Sequence, residues 1–415
     1  MKGWSFLKIK DYPIQIIDGD RGANYPTKEE FLEDGHCLFL NTGNVTLSGF
    51  KFDEKVFVTE EKHKKLRKGH LQRGDIVLTT RGTIGNVAFY DESIKYDVIR
   101  INSGMLILRP DLNKLNAQFF YGLVRSSIFQ QQADLFRYGA AQPQLPIGTL
   151  NHIRLPLPPL PTQKKIAGIL SAYDDLIENN LRRIKLLEEM AQITYEEWFV
   201  RLRFPGHTTT PINEATGLPE GWKKVRLGDM CHLTMGQSPK SEFYNTDGNG
   251  LPFHQGVKDY GERFPSNESW STEGARYAER GDVLFSVRAP VGRLNIALEK
   301  MILGRGLAAI CHKQKAQGFL YCLLKKQFFA EDMMGGGAIF NSVTKNDMLR
   351  IDVVQPDENT LQKFNQIVSA SDREIEVLHI QNQHLREARD ILLPRLMTGV
   401  IDAEKYQPEN FLKKN

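Results

Sequence analysis

Arginines beside glycine-containing turns are the residues of this 415-residue chain whose type and placement could best do chemistry. Arg81 lies in the turn TTRGTIGN, and Arg288 and Arg293 lie in the related turn SVRAPVGR. A guanidinium can donate paired hydrogen bonds to guanine or to a phosphate group. It can also bond the carbonyls of its own turn, and the presence of an arginine in both turns is compatible with that structural role.

Other side chains suited to nucleic-acid contacts are basic or carry an amide. The run of residues 62–68 is dense enough in lysine to bind phosphate, and a solvated face is an equal alternative. Amides that precede the two predicted long helices could donate to base edges, with turn formation as the alternative. Besides the three arginines, the candidate contacts are Lys62, Lys64, Lys65, Arg67, Thr83, Gln142, Gln144 and Asn341.

Catalytic and metal-binding motifs are absent from the sequence. There is no phosphate-binding loop of the form G-x-x-x-x-G-K followed by Ser or Thr, no Asn-Pro-Pro-aromatic motif, and no G-x-G-x-x-G after a predicted strand. The four cysteines lack zinc-site spacing, and two Cys-His pairs, at 231–232 and 311–312, are weak evidence for a metal. We therefore predict no catalytic residue, no metal ligand and buried free thiols.

Two long segments organise the chain around these candidates. Residues 162–200 and 360–398 repeat one another without gaps at an offset of 198 residues, with identities that include Ile169 with Ile367 and Leu187 with Leu385. Each carries apolar residues three and four positions apart, which predicts a helix of about 38 residues with one narrow apolar stripe. Such a stripe favours a partner helix, and the duplication supplies one.

The predicted seam between these helices consists of the residues of the two stripes. In an antiparallel pair, the polar interruptions Asn180 and Asn382 would face each other near the middle, where a buried amide pair fixes register; the alternative is that both amides point to solvent. The residues predicted for the seam and for docking a partner are Ile166, Leu170, Tyr173, Ile177, Asn180, Ile184, Leu187, Phe364, Ile375, Leu378, Asn382, Leu385 and Leu392.

A second duplication precedes each long segment. The triplet Arg73-Gly74-Asp75 matches Arg280-Gly281-Asp282 at an offset of 207, and Gly85 matches Gly292 at the same offset. We therefore predict an α+β fold class, with two similar mixed α/β domains separated by two long helices that pack on each other. The predicted parts are a first head (1–158), a first spacer helix (159–202), a Pro- and Thr-rich linker (203–221), a second head (222–356), a second spacer helix (357–400) and a tail (401–415).

Composition sets the remaining bounds. The net charge is only +4, so a polyanionic partner would have to be bound by local patches. No apolar run approaches the 18 residues of a membrane span. With no signal-peptide pattern either, we expect a cytoplasmic protein without membrane association.

The order of these parts resembles a known family. A variable domain, the run LPLPPLPTQKKIAGILSAYDDLIENN, the run EEWFVRLRFPG, a second variable domain and LLPRLMTGVID follow one another. Together they are similar to the DNA-specificity subunit of Type I restriction–modification systems. The Glu-Gln usual at the helix start is Thr162-Gln163 in the first copy and Thr360-Leu361 in the second, a departure with little bearing on function.

The resemblance implies a non-catalytic subunit with two target-recognition domains, each reading one half of a bipartite double-stranded DNA site. It also implies that the two long helices form an antiparallel coiled coil. This coiled coil would serve as spacer and dock two methyltransferase subunits, through which the restriction and translocase subunits join. S-adenosylmethionine, magnesium and ATP would belong to those partners, and this chain would bind no cofactor. The rival hypotheses are a stand-alone methyltransferase or nuclease, and a scaffold or decoy that does not bind DNA.

Overall fold

Two units, each containing one of the heads, make up the chain in the computed structural model. The structure describes residues 4–46, 49–135, 144–332 and 342–406, without the side chains of 329–332. The first unit comprises Met1–Asn179 and Gln381–Asn415, and the second comprises Asn180–Ile380. No helix among the described residues is long and apolar enough to cross a membrane.

The first unit is built on a four-stranded antiparallel sheet in the order β2-β10-β7-β8. In a second sheet, β3 lies parallel to β9 and antiparallel to β6, while β1 pairs with β11. The strands are β1 (Ser5–Lys8), β2 (Ile14–Asp18), β3 (Cys37–Leu40), β4 (Val45–Thr46), β5 (Gly49–Phe50), β6 (Phe57–Val58), β7 (Ile76–Thr79), β8 (Val87–Phe89), β9 (Ile99–Ile101), β10 (Met105–Pro110) and β11 (Arg154–Leu157). The helices are α1 (Glu60–Lys65), α2 (Ala117–Arg125), α3 (Ser127–Leu135), α4 (Ile147–Leu150) and the start of α5 (Leu160–Tyr195).

The second unit has a four-stranded sheet in the order β15-β23-β20-β21. Here β17 lies parallel to β22 and antiparallel to β18, and β14 pairs with β24. The strands are β12 (Ile212–Asn213), β13 (Leu218–Pro219), β14 (Lys223–Arg226), β15 (Cys231–Met235), β16 (Tyr244–Asn245), β17 (Leu251–His254), β18 (Trp270–Ser271), β19 (Tyr277–Ala278), β20 (Val283–Ser286), β21 (Leu294–Ile296), β22 (Met301–Leu303), β23 (Leu307–His312) and β24 (Asp352–Gln355). The helices are α6 (Leu227–Met230), α7 (Gln317–Asp332), α8 (Lys345–Leu349) and the start of α9 (Glu358–Met397).

The strand order of the two heads is the same. Taken along the chain, β2, β7, β8 and β10 of the first sheet correspond to β15, β20, β21 and β23 of the second, with every pairing antiparallel. The parallel pair and the pair formed by the first and last strands also recur. The prediction of one fold repeated in two heads is therefore confirmed.

The long helices pack antiparallel within each unit. In the first unit, Ile166 and Leu170 near the start of α5 share a core with Leu392 near the end of α9. In the second, Ile184 from the later part of α5 packs with Ile375 from the earlier part of α9. The helix α5 continues into a π-helical turn, Glu196–Val200, whose aromatic residues join the core of the second unit.

Prolines interrupt these elements less than the sequence predicts. The strand β11 contains Pro156, and α5 begins at Leu160, although the prolines before Thr162 predict a helix that starts there. Pro161 falls in the first helical turn, where the amide has no partner in any case. A proline at position 394 predicts a kink or the end of the second helix, but α9 runs to Met397. Leu396 and Met397 are fully buried, and their packing offsets the lost hydrogen bond.

Two further segments differ from the sequence prediction. The sequence of residues 113–136 predicts one helix. The structure has two, α2 and α3, because Ser126 between them adopts an extended backbone. Residues 203–221, predicted as a linker, carry the β12–β13 pair and pack into the core of the second unit. The reason is apolar burial: Phe204 and Leu218 contact the same cluster as Trp222, and the Phe204 and Trp222 ring centroids are 4.9 Å apart.

Candidate nucleic-acid interface

The turn between β7 and β8 presents Arg81 from a rigid base. All of β7 is buried, and Thr79 at its end closes the turn by accepting a hydrogen bond from the Asn86 amide at 3.0 Å. Gly82 and Gly85 have φ values of 68° and 91°, which favour glycine. Arg81 and Thr83 are exposed on this turn, so the sheet fixes the backbone from which their side chains extend.

The turn between β20 and β21 repeats this construction around Arg288. Ser286 takes the place of Thr79, and its hydroxyl accepts from the Arg293 amide at 2.8 Å. Gly292 donates to the Ser286 carbonyl at 3.0 Å, as Gly85 donates to that of Thr79. Arg288 and Arg293 are exposed, like Arg81. The two heads thus present an arginine from the same position of two equivalent sheets.

A later chain segment lies against each turn. The Leu145 amide donates to the Thr80 carbonyl at 3.0 Å, and Gln144 forms an antiparallel bridge with Arg81. In the second head the Val343 amide donates to Val287 at 2.9 Å, and Ser342 bridges to Arg288. Gln144 is thereby placed beside Arg81. Two other candidates, Gln142 and Asn341, lie outside the described residues.

The side chains of Arg81 and Arg288 do not bond to their own turns. Within the described ranges, neither guanidinium has a hydrogen bond or an ion pair, and each turn is closed by backbone and hydroxyl groups instead. The described residues of the two turns therefore do not support the structural-arginine interpretation. Both residues are exposed, and neither guanidinium has a partner among the described residues.

A cavity in the second head adds groups that the sequence did not single out. It has a volume of about 210 Å³, and its lining includes Gln255, Arg288 and Arg305. The loops after β17 and β22 meet there because the Gly306 amide donates to the Gln255 carbonyl at 3.1 Å. A Cβ on Gly306 would lie only 2.4 Å from that carbonyl, so glycine is required. Gly306 is the sequence signal that could have indicated this site.

The corresponding loops of the first head also converge. The Arg81 amide donates to the Gly104 carbonyl at 3.2 Å, which ties the arginine turn to the loop after β9. A Cβ on Gly104 would lie 2.9 Å from the Thr42 side chain, in the loop after β3. Three loops from separate strands therefore meet around the arginine in both heads. This convergence is a tertiary property that spacing in the sequence does not reveal.

The basic run of 62–68 is largely neutralised by acids of its own domain. Lys64 and Lys65 pair with Glu60 and Glu61 one turn earlier in α1, both at 2.6 Å. Lys62 pairs with Glu30 at 2.7 Å. Arg67 is exposed, and its backbone amide donates to Asp20. The geometry favours the solvated face for the three lysines, since such pairs reduce their pull on phosphate.

The four cysteines are free thiols, three of them buried. Cys37, Cys231 and Cys322 are buried, and burial raises the pKa of each thiol to about 12. Cys311 is half-buried, and burial raises the pKa of that thiol as well. In the part of the chain that the structure describes, no group of three or more His, Cys, Asp or Glu side chains could hold a metal ion.

Comparison with known proteins decides the family. The model of the Type I restriction modification DNA specificity domain matches residues 1–189 and 219–386, which include both heads and most of both long helices. The chain belongs to this family. Members of the specificity family provide DNA target recognition to Type I systems and carry no catalytic site, so the chain is not an enzyme in its own right.

Individual relatives extend over nearly the whole chain. A putative Type I restriction enzyme MjaX specificity subunit of Methanocaldococcus jannaschii is 31% identical over 369 residues, which cover 86% of this chain and 85% of the relative. The HindI specificity subunit of Haemophilus influenzae is 22% identical, with 94% and 99% covered. The crystal structure of a Type I S subunit from M. genitalium shares the fold, with a TM-score of 0.55, 17% identity, and 95% and 96% covered.

In this specificity-family chain, the predicted seam residues lie mostly in the core. Asn180 and Asn382 are 7% and 1% exposed, so the alternative in which both amides point to solvent is wrong. Within the first unit, the Asn382 amide donates to the Ile177 carbonyl at 3.4 Å. A direct Asn180–Asn382 pair remains a prediction. Ile166, Leu170, Ile177, Ile184, Phe364, Ile375, Leu378 and Leu392 are buried, and Tyr173, Leu187 and Leu385 are half-buried.

Proposed function

We propose that this chain reads a bipartite DNA target, with one half-site bound by each head. The observation that carries the proposal is the repeated arginine turn. Arg81 and Arg288 extend from the same position of equivalent sheets, and both guanidinium groups lack a partner among the described residues. Arginine donates two hydrogen bonds to the O6 and N7 atoms of guanine in the major groove. Two similar heads on one frame suit two half-sites with a fixed gap.

Local groups rather than overall charge support this DNA contact. The net charge is only +4, and three lysines of the basic run are paired with acids. The cavity of the second head instead brings two arginines and an amide together at one exposed edge. A convergent set of donors of this kind suits base edges and phosphates, and it would make recognition depend on a few contacts in each head.

Replacing either arginine with alanine should weaken recognition of one half-site only. The loss of a bidentate guanine contact costs about 1–3 kcal/mol, or roughly 5- to 150-fold in affinity. We expect R81A and R288A to relax the base preference at one position each, in different half-sites, when binding of the target duplex is measured by fluorescence anisotropy. A phosphate contact would instead lower affinity for all sequences and reduce the salt slope by about one.

The paired Lys64 provides the control for this experiment. Its ammonium already bonds Glu60 on an exposed helix, so K64A should change neither the base preference nor the affinity by more than about twofold. Unchanged binding by both R81A and R288A would contradict the proposed role of the turns. Binding of a methyltransferase subunit without any DNA binding would instead support the scaffold hypothesis.

The long helices are proposed to dock two methyltransferase subunits, through which restriction and translocase subunits join. Ile193 on α5 and Ile391 on α9 occupy equivalent positions in the duplication and are 61% and 55% exposed. Met190 and Leu186 are exposed one and two turns before Ile193, on the same helix face. Exposed apolar residues at matched positions suit two copies of one partner. S-adenosylmethionine, magnesium and ATP would be bound by the partner subunits.

Introducing a charge at either isoleucine should remove one partner. I193D and I391D each bury an unpaired carboxylate in the proposed contact, while the free chain keeps its fold because both positions are exposed. We expect native mass spectrometry to show one methyltransferase subunit instead of two for each variant. Val377 is exposed on α9, and V377D is the control that should keep both. Two bound subunits in both isoleucine variants would refute this docking surface.

A further inference from the structure

A short loop of the second head reaches onto the long helices. Residues 257–266 follow β17 and contain a tight turn, in which the Gly261 amide donates to the Phe264 carbonyl at 3.1 Å. The base of the loop is held by β21, since the Ile296 amide donates to the Arg263 carbonyl at 2.8 Å. Arg263 and Phe264 are both only 4% exposed. The turn therefore inserts two side chains into the interior of the second unit.

Arg263 joins both helices through its guanidinium. It pairs with Glu188 of α5 at 3.2 Å and with Asp372 of α9. The ring of Tyr321, from α7 of the head, lies 4.4 Å below the guanidinium. Burial would lower the pKa of Arg263, but Asp372 and Glu188 outweigh it and raise the pKa, so the group stays charged. One buried cation thus connects the loop, α7 and both helices.

Phe264 adds an apolar contact beside this charge. Its side chain packs in a cluster with Ile184 of α5 and with Ile375 and Leu378 of α9. Its ring centroid is 4.9 Å from that of His379. The loop therefore occupies both an ionic and an apolar site on the same stretch of the helix pair, and motion of the head relative to these helices would disrupt both contacts.

The first unit satisfies the equivalent acid differently. Asp174 is the counterpart of Asp372 in the duplication, and it bonds Arg389 of α9 at 2.6 Å. The loop after β3, the counterpart of the loop after β17, instead packs its aromatic rings within the first head, where Phe52 lies 5.2 Å from Tyr96. In the described residues of the first unit, no arginine of the head contacts Asp174.

We propose that Arg263 and Phe264 form a clasp that fixes the second head on the helix pair and thereby sets the single spacing at which the two half-sites are accepted. This inference rests on the proposed bipartite target. One base pair of extra spacing moves a half-site by about 3.4 Å and turns it by about 35° around the DNA axis. When the clasp holds the head in place, the DNA alone must distort to compensate for this shift and rotation. A head released from the clasp could move and so reduce the distortion that the DNA requires.

The test compares clasp variants with a matched control. Methylation by the chain assembled with its methyltransferase subunits is measured on duplexes whose half-sites are separated by the natural gap, or by one or two base pairs more or fewer. R263Q and D372N should lower the preference for the natural gap over a gap changed by one base pair at least about tenfold, because less DNA distortion is then required. Base preference within each half-site should stay unchanged.

D174N provides the control, because it removes the equivalent acid from the first unit without touching the clasp. It should keep the spacing preference of the unmodified chain. F264A tests the apolar contact separately and covers the case in which R263Q fails to fold. Unchanged spacing preference in D372N and F264A would overturn the clasp, whereas an unmodified chain that shows no two-part target would overturn the proposed function instead.

Discussion

Replacing Phe364 with alanine should destabilise the second unit by about 3–5 kcal/mol, the usual cost of removing a fully buried phenylalanine. Phe364 is 0% exposed on α9, and its ring centroid lies 5.0 Å from Phe199 and 5.7 Å from Trp198. Phe319 of α7 belongs to the same aromatic group. The substitution would leave a cavity where α9, the end of α5 and the second head meet.

Urea unfolding of the full chain, followed by tryptophan fluorescence, measures this effect because Trp198 contacts the mutated site. The control is I367A, three residues further along the same helix, where the side chain is 45% exposed. A surface change of this kind should stay within about 0.5 kcal/mol. Equal losses in the two variants would show that Phe364 is not a central packing residue.

The repeat in the sequence was sufficient to predict the architecture. An uninterrupted offset of 198 between the helices, with one apolar stripe in each, indicates two long helices that pack on each other. Matched anchors such as Arg73 with Arg280 indicated a repeated head, and the equal strand orders confirm it. Periodicity and repetition are properties of the chain itself, which is why they could be read without coordinates.

Other features depended on contacts between distant segments. Composition suggested a linker for 203–221, but the burial of Phe204 depends on Trp222 and on the core behind it. The matched residues of the two heads include none from the Arg263 loop, so the duplication could not predict the contacts of this loop. A buried arginine is stable only through partners that other elements supply.

The candidate site was predicted in part. The arginine turns were found from their residue types and their repetition in the sequence. The exposure of the arginine side chains could not be predicted in this way. Gln255 and Arg305 were missed because they meet Arg288 only through loops from separate strands. The basic run was overvalued, although the order Glu60-Glu61 before Lys64-Lys65 already predicts pairs four residues apart along a helix.

Exchange of the second head should have the largest functional effect. Replacing residues 222–356 with the corresponding residues of a relative is expected to change one half-site completely and to leave the other intact. The β14–β24 pair lies wholly within the exchanged part, so its hydrogen bonds are kept together. The donor should carry tryptophan at position 222, because the Trp222 indole donates to Asp357 of α9 at 3.1 Å. Exchange of 1–158 is the matched experiment on the other half-site.

Genome-wide mapping of adenine methylation with and without each form of the chain measures these outcomes in the assembled system. The unmodified chain should direct methylation to a motif of two short defined blocks with one fixed gap. An exchanged chain whose donor head keeps Arg263 and Phe264 should keep the gap and one block and acquire a new second block. A change in both blocks, a single undivided motif, or methylation that does not depend on the chain would contradict independent recognition by two heads.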